Sequence, residues 1–335
     1  MSLTESPTVC VRGPADLLAA VPYLLGFHPE GSLVVIGLDD TKVTVTARLD
    51  LADVDTTGAL SNLFGAIQRA GSTKVVTAVF TGTLTPSSPM LVSLAENVGR
   101  ADFELVDVLV VIRGRWWSLI CSDPQCCPPE GNPMPPAPTV LDVTATYAGL
   151  TALPNRDALG AMFDPAPDRR DLAAEIEHQQ DEQLRATLGG IRARDDRSVI
   201  RALFAAQRAA QSGQMPTDHE VARYAVALQS YVVRDAFWMA LDDGRLEGIE
   251  LWVNLARRLP APYGAAPLFL AAWRAYRDGN GALAGIAAER ALASDPSCSA
   301  AHLLLAVLAR GIDPRTLPKL RAAAAQKAGD ETAVL

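Results

Sequence analysis

The chain lacks any long apolar run. Even Leu105–Ile112 is short and interrupted by Asp107, far from the roughly 18–20 residues that a membrane-spanning helix needs, so no membrane role is expected. The opening Met-Ser-Leu-Thr-Glu-Ser-Pro-Thr has neither a positive segment nor an apolar one. Such an opening is not a secretory signal, and a cytoplasmic location is expected. Positive charge is in deficit. Residues 1–150 carry 8 Lys and Arg against 15 Asp and Glu, residues 151–335 carry 22 against 23, and the formal net charge is −8. Nucleic-acid binders present a basic face that exchanges counterions with phosphates, so neither DNA nor RNA is an expected partner. Lysine supplies only four of the 30 basic residues, a bias that fits a high-GC genome. There is no Walker loop, no strand-linked dinucleotide motif, no nucleophile elbow and no zinc-protease signature. No cofactor is therefore expected.

What is present is a globular composition, 49% hydrophobic and 20% charged, on a chain of 335 residues, too long for one comfortable core. The pattern divides into an α/β domain over residues 1–155 and an all-helical domain over 156–335. Strands are predicted at Thr8–Arg12, Ser32–Leu38, Lys42–Leu51, Lys74–Thr81, Phe103–Ile112 and Trp116–Cys121. The second and third alternate across a short Asp39-Asp40-Thr41 loop and should pair antiparallel. Helices are predicted after Gly13-Pro14, where proline suits a first turn, and over Thr56–Ala70, Pro89–Arg100 and Val143–Leu150. Two crossover connections and two hairpins imply a mixed sheet with helices packed on it. Residues 121–138 change character to Pro, Gly, Cys and Asn and read as a loop.

Strand signals vanish after Asp168. Asp168–Arg197 reads as an exposed connecting helix. A helix from Val199 to near Gly213 follows, then one from Thr217 or Asp218 to about Leu241. Further helices are predicted at about Glu247–Leu259, Ala265–Arg277, Ala282–Ser294, Ser299–Ala309 and Pro314–Lys327. Within them, residues 265–298 fit one tetratricopeptide-like unit. Leu268, Ala271 and Ala272 take its anchor and small positions, Gly279 and Gly281 its turn, Ala284 and Ala291 its close approach, and Pro296 its end. Ala275 and Ala288 stand where bulky aromatics are usual. A single such unit either presents a groove to a partner or completes a helical bundle.

Cys121, Cys126 and Cys127 share a proline-stiffened loop. Three thiols could bind metal, pair as a disulfide, or serve a nucleophilic reaction. Cys10, Cys298 and the histidines His28, His178, His219 and His302 show no ligand spacing that would complete a zinc site, so no metal is expected. The competing reading is a pinned loop of buried, inert thiols. Trp116 and Trp117 are adjacent on a strand and must point to opposite faces: one should be core, and the other is a candidate platform for a ligand. On one continuous helix, Asp235 would align with Val221, Leu228 and Met239, a carboxylate in an apolar stripe. Such a group needs a partner, with Arg234, Arg257 and Arg258 as candidates. His28 and Glu30 share a turn at a strand entrance.

Four segments, Pro22–Val35, Trp117–Gly131, Val233-Arg-Asp235 and the Trp273–Pro296 helix pair, together resemble domain-of-unknown-function family 4192 (DUF4192), known chiefly from actinobacteria. The resemblance implies the domain order and a bacterial cytosolic setting, and it assigns no activity or catalytic residue. The catalytic candidates are therefore Cys121, Cys126, Cys127, Arg234 and Asp235. The binding candidates are His28, Trp116, Trp117 and Trp273. The leading expectation is a protein- or ligand-binding adaptor that engages a partner protein through the helical half. The alternative is an α/β enzyme with an inter-domain, thiol-dependent site near the Cys121–Gly131 loop.

Overall fold

A computed structural model describes residues 11–54, 58–99, 103–148, 150–166, 171–189 and 192–320. They form two compact units. The first runs to Leu159 and includes Ala309–Ile312; the second runs from Gly160 to Leu308 and resumes at Asp313.

The first unit contains α1 (Pro14–Leu25), β1 (Ser32–Asp39), β2 (Lys42–Asp50), α2 (Ala59–Arg69), β3 (Lys74–Thr81), α3 (Pro89–Gly99), β4 (Glu104–Ile112), β5 (Arg115–Ser118), β6 (Asn132–Pro133) and α4 (Val140–Tyr147). The strands build one mixed sheet in the order β2-β1-β3-β4-β5-β6. β3 and β4 pair parallel, and the other neighbours pair antiparallel. The strand expected at Thr8–Arg12 lies largely outside the described residues, and Val11 and Arg12 are not in a strand. β6 was not predicted: it is two residues long and ends on a proline, which cannot donate to a ladder.

β1 and β3 are the central strands, and both are buried along almost their whole length, which is why they read as continuous apolar runs. On one face, Leu33 and Val35 of β1, Val75 and Val79 of β3 and Val110 of β4 form a single cluster with Ile67 of α2 and Leu91, Leu94 and Val98 of α3. Each such side chain contributes about 1.5–3 kcal/mol by leaving water. Gly37 breaks the β-branched pattern of β1 for a steric reason. A Cβ there would come within 2.2 Å of Ser72 Oγ and 3.0 Å of Ile67 Cγ2, so only glycine lets α2 and the turn after it approach the sheet.

The second unit is helical: α5 (Arg156–Gly160) at its boundary, then α6 (Ala173–Leu188), α7 (Arg192–Ala210), α8 (Asp218–Ala227), α9 (Tyr231–Asp242), α10 (Glu250–Arg258), α11 (Ala265–Arg277), α12 (Gly281–Ser294) and α13 (Ser299–Ala309). No strand follows β6 among the described residues. Three expectations are corrected. The connecting helix predicted over Asp168–Arg197 is two helices, because α6 stops at Leu188 and Gly189. The helix predicted from Thr217 to Leu241 is also two. The Gln229 and Ser230 amides donate to Val226 and Ala227, three residues back, and Ser230 then adopts extended backbone as the cap of α9. The helix predicted at Pro314–Lys327 begins instead with turn and irregular backbone through Lys319, and residues 321–327 lie outside the described residues.

An aromatic stack organises this unit. Trp238 meets Phe269 at 4.8 Å and Trp273 at 5.2 Å, both edge-on, and Trp273 meets Tyr276 at 5.7 Å. Beside it Asp242, fully buried, accepts from Arg277 Nε at 2.6 Å, Trp273 Nε1 at 3.2 Å and the Leu320 amide at 2.6 Å. Arg277 also donates to the Pro314, Leu317 and Pro318 carbonyls. One ion pair thus closes α9 onto α11 and fastens the segment after α13. Removing one partner of such a pair strands the other charge, at a cost of about 3–5 kcal/mol. Asp242→Ala should lower the unfolding free energy by about that amount in a denaturant titration, and a loss under 1 kcal/mol would show that the pair does not anchor the unit.

Candidate functional site

The edge of the sheet in the first unit carries the three cysteines. β4 turns into β5 through Arg113 and Gly114, both at positive φ (49° and 78°), the backbone of a tight hairpin whose twist matches its strands. β5 then pairs with β6 through Arg115↔Pro133 and Trp116↔Asn132. The 13 residues between them, 119–131, form the cysteine loop.

Both ends of this loop are fastened. At its start the Ser118 hydroxyl donates to Asp107 Oδ1 at 2.6 Å and accepts from the Cys121 amide at 3.1 Å. In its middle the Cys126 and Cys127 amides both donate to the Asp123 carbonyl, at 3.2 and 2.7 Å. The Asp123 carboxylate accepts from the Gln125 amide. Asn132 Nδ2 donates to the Cys126 carbonyl at 2.9 Å. At its end Trp117 Nε1 donates to the Pro129 carbonyl at 3.1 Å, and Arg115 donates to the Glu130 and Gly131 carbonyls at 2.7 and 2.8 Å. Gly131, at φ +76°, lies against the Trp117 indole so closely that a Cβ would fall 2.4 Å from a ring carbon. The proline-stiffened backbone is thereby wrapped around one tryptophan.

The result is a cluster of three free thiols whose sulfur atoms all lie within 4.8 Å of one another. Cys126 is exposed, and Cys121 and Cys127 are half-buried. The expected burial of these thiols is therefore corrected: the loop is pinned as expected, but its anchoring bonds hold it at the surface, and the three cysteines are not in the core. Hydrogen bonds differentiate them. The Asp123 amide donates to Cys121, and Cys127 donates to it as well; both hold the Cys121 thiol below its usual range. Burial, followed by the hydrogen bond to Cys121, pushes Cys127 up to about 11. A thiol with a stabilised anionic form beside one that keeps its proton is an acceptor and donor pair.

The other sequence candidates are placed as follows. Trp116 is 7% exposed and Trp117 half-buried, on opposite faces as the strand period requires, with Trp117 engaged by the loop. His28 and Glu30 are exposed, and the His28 amide donates to the Leu153 carbonyl. Trp273 is buried in the aromatic stack and bonded to Asp242. Asp235 pairs with Arg234, whose Nε and Nη2 donate to Oδ1 at 2.9 and 2.7 Å. Because α8 and α9 are separate helices, Asp235 does not continue a stripe from Val221 and Leu228, and its side chain is 42% exposed. Arg234 lies over the Tyr231 ring at 4.7 Å. The cysteine loop belongs to the first unit, and Arg234, Asp235 and Trp273 belong to the second. Sequence reasoning missed Asp242. Its signal was available: a carboxylate in the last turn of a helix opposes the dipole and needs a specific cation.

Residues 14–315 match the family model described as a domain of unknown function, DUF4192. The match spans most of the chain, and the chain belongs to this family. No curated protein and no solved structure matches it.

The fit of Gly131 under Trp117 makes the loop testable by a single methyl group. Gly131→Ala adds a Cβ to a position with both positive φ and no space, and it should destabilise the first unit by about 1–3 kcal/mol in a denaturant titration. An unchanged midpoint would mean that the loop is not wrapped on the indole.

Proposed function

We propose that this DUF4192 protein is a thiol-dependent redox protein in which Cys121 and Cys127 cycle between dithiol and disulfide. The observation that carries the reading is the gathering of three sulfurs within 4.8 Å on a loop fastened at both ends. A disulfide draws two such sulfurs to an S–S bond of about 2.0 Å.

Cys121, with the Asp123 amide aimed at its sulfur, is the attacking group. Its thiolate attacks one sulfur of a low-molecular-weight disulfide and expels the first thiolate. Cys127 then gives its proton to the expelled thiolate, and the Cys127 thiolate so formed attacks Cys121 Sγ in the mixed disulfide and expels the second. One S–S bond is broken and one is formed. The two cysteines give up two electrons and two protons, and the substrate leaves as two thiols. Cys126 and Cys127 are neighbours in the chain, so a disulfide between them would be strained, whereas Cys121 reaches across the loop.

Exposure of reduced protein to oxidised glutathione, followed by alkylation and peptide mapping by mass spectrometry, tests this. A Cys121–Cys127 link is expected, and Cys127→Ser should trap a mixed disulfide on Cys121. Three freely alkylated thiols after that treatment would overturn the reading.

A second reading, binding of a partner protein, is favoured by α4. Val140, Val143 and Tyr147 lie on one helical face and are 85%, 62% and 89% exposed, and clustered apolar exposure marks interaction surfaces. The double variant Val143→Glu, Tyr147→Glu should abolish co-purification of that partner from the source cells without changing the unfolding midpoint. Unaltered co-purification discards this reading.

A further inference from the structure

The redox reading employs two sulfurs and leaves Cys126, the exposed member of the cluster, without a task. Its sulfur nevertheless lies within the same 4.8 Å triangle. The donor set around that triangle is purely sulfur. Among the described residues no imidazole or carboxylate joins the group, and the nearby Asp123 carboxylate is turned to the Gln125 amide. Hard cations such as Mg²⁺ and Ca²⁺ take oxygen ligands, whereas thiolate sets select soft ions. Backbone amides of Asp123 and Ser118 donate to the sulfurs of Cys121 and Cys127. Such outer bonds orient thiolate ligands and spread their charge. The Ser118, Asn132, Arg115 and Trp117 anchors hold the loop that carries all three sulfurs, so little ordering remains to oppose binding.

We propose that reduced Cys121, Cys126 and Cys127 form a three-thiolate site for one zinc ion, with its fourth coordination position open to solvent on the Cys126 side. A Zn–S length of about 2.3 Å at tetrahedral angles sets the sulfurs about 3.8 Å apart, a small contraction of the triangle. Zinc displaces three S–H protons, so the bound site carries one negative charge. The proposal rests on the same reduced loop as the redox reading but requires no disulfide.

The test is anaerobic titration of the full-length reduced protein with Zn²⁺ against a colorimetric chelator, and with Co²⁺ as a spectroscopic stand-in. One ion per chain is expected, with a sulfur-to-cobalt charge-transfer band and protection of all three cysteines from alkylation. Cys121→Ser, Cys126→Ser and Cys127→Ser should each weaken binding by at least about tenfold. The triple variant, which keeps Cys10 and Cys298, sets the background. Alkylation protection is measured on the unaltered chain, so it decides the matter even if a variant fails to fold. Binding no tighter than the triple variant's, or undiminished in Cys126→Ser, overturns the proposal. Uptake of Cu⁺ without Zn²⁺ overturns the assignment of the ion. Cys126→Ser retains the Cys121–Cys127 pair, so a disulfide that forms where zinc does not bind removes this proposal alone. Zinc binding without a disulfide removes only the redox reading.

Discussion

The first unit's chemistry depends on the contact between the Trp117 ring and Gly131. A loop of 13 residues with several prolines has no ladder of its own, and nothing in its composition would hold three sulfurs together. The indole supplies the missing template. Its face lies where the Gly131 side chain would be, and its Nε1 binds the Pro129 carbonyl. Arg115, two residues earlier on the same strand, takes the next two carbonyls. Because β5 is itself locked to β4, the precision of the sheet passes through these side chains into the loop. Sites carried by regular elements hold their geometry better than free loops, and here the loop borrows that property from a strand.

The second unit solves a different problem. An all-helical segment rich in alanine buries little volume per residue, and its helices need something besides alanine to fix their partners. Large aromatics supply contact area in two groups: Phe237 meets Trp252 at 5.5 Å, and Trp238, Phe269 and Trp273 meet one another within 4.8–6.5 Å. Direction comes from the Asp242–Arg277 pair. A buried ion pair adds little net stability over a well-packed apolar one, but it strongly penalises mispairing. Asp242 satisfies α11 through Trp273 and Arg277 and the Leu320 amide at once, so the path of the chain after α13 is chosen by hydrogen bonding as much as by burial.

The parts of the fold that were legible in the sequence are those governed by one short-range rule. β1 and β3 announce themselves because strands covered on both faces must be apolar throughout, β4 through its buried Val108–Val110 centre, and α11, α12 and α13 because glycine, asparagine and proline punctuate them. The break between α8 and α9 was illegible for the converse reason: Leu228-Gln229-Ser230 contains no helix breaker, yet the Gln229 and Ser230 amides turn to carbonyls three residues back and Ser230 extends. That one break also moved Asp235 off the apolar stripe on which a continuous helix would have placed it. Asp242 could be suspected from its place in the last turn of α9, but its partner could not, since Arg277 lies 35 residues along the chain. The cysteine loop fell between these cases. Its residues stood out at once, but whether three thiols on a proline-rich segment are buried or displayed depends on the Trp117–Gly131 contact, which no local pattern encodes.

That contact also bears on how redox and metal chemistry would coexist at one site. Forming the Cys121–Cys127 bond takes two of three ligands from a metal, and a metal bound by all three withholds both thiolates from a disulfide substrate. The two states are linked by mass action: whatever stabilises the reduced, metal-bound loop lowers the reduction potential at which the disulfide becomes favourable only if metal binds the oxidised form better, and a single remaining thiolate cannot do so. Metal therefore raises the potential and protects the dithiol, while oxidation expels the metal. The anchors at Ser118, Asn132 and Trp117 constrain backbone rather than sulfur, so they allow the side-chain rotation that either state requires. A loop fastened along its main chain, with side chains left to turn, is the arrangement that the two proposed states would share.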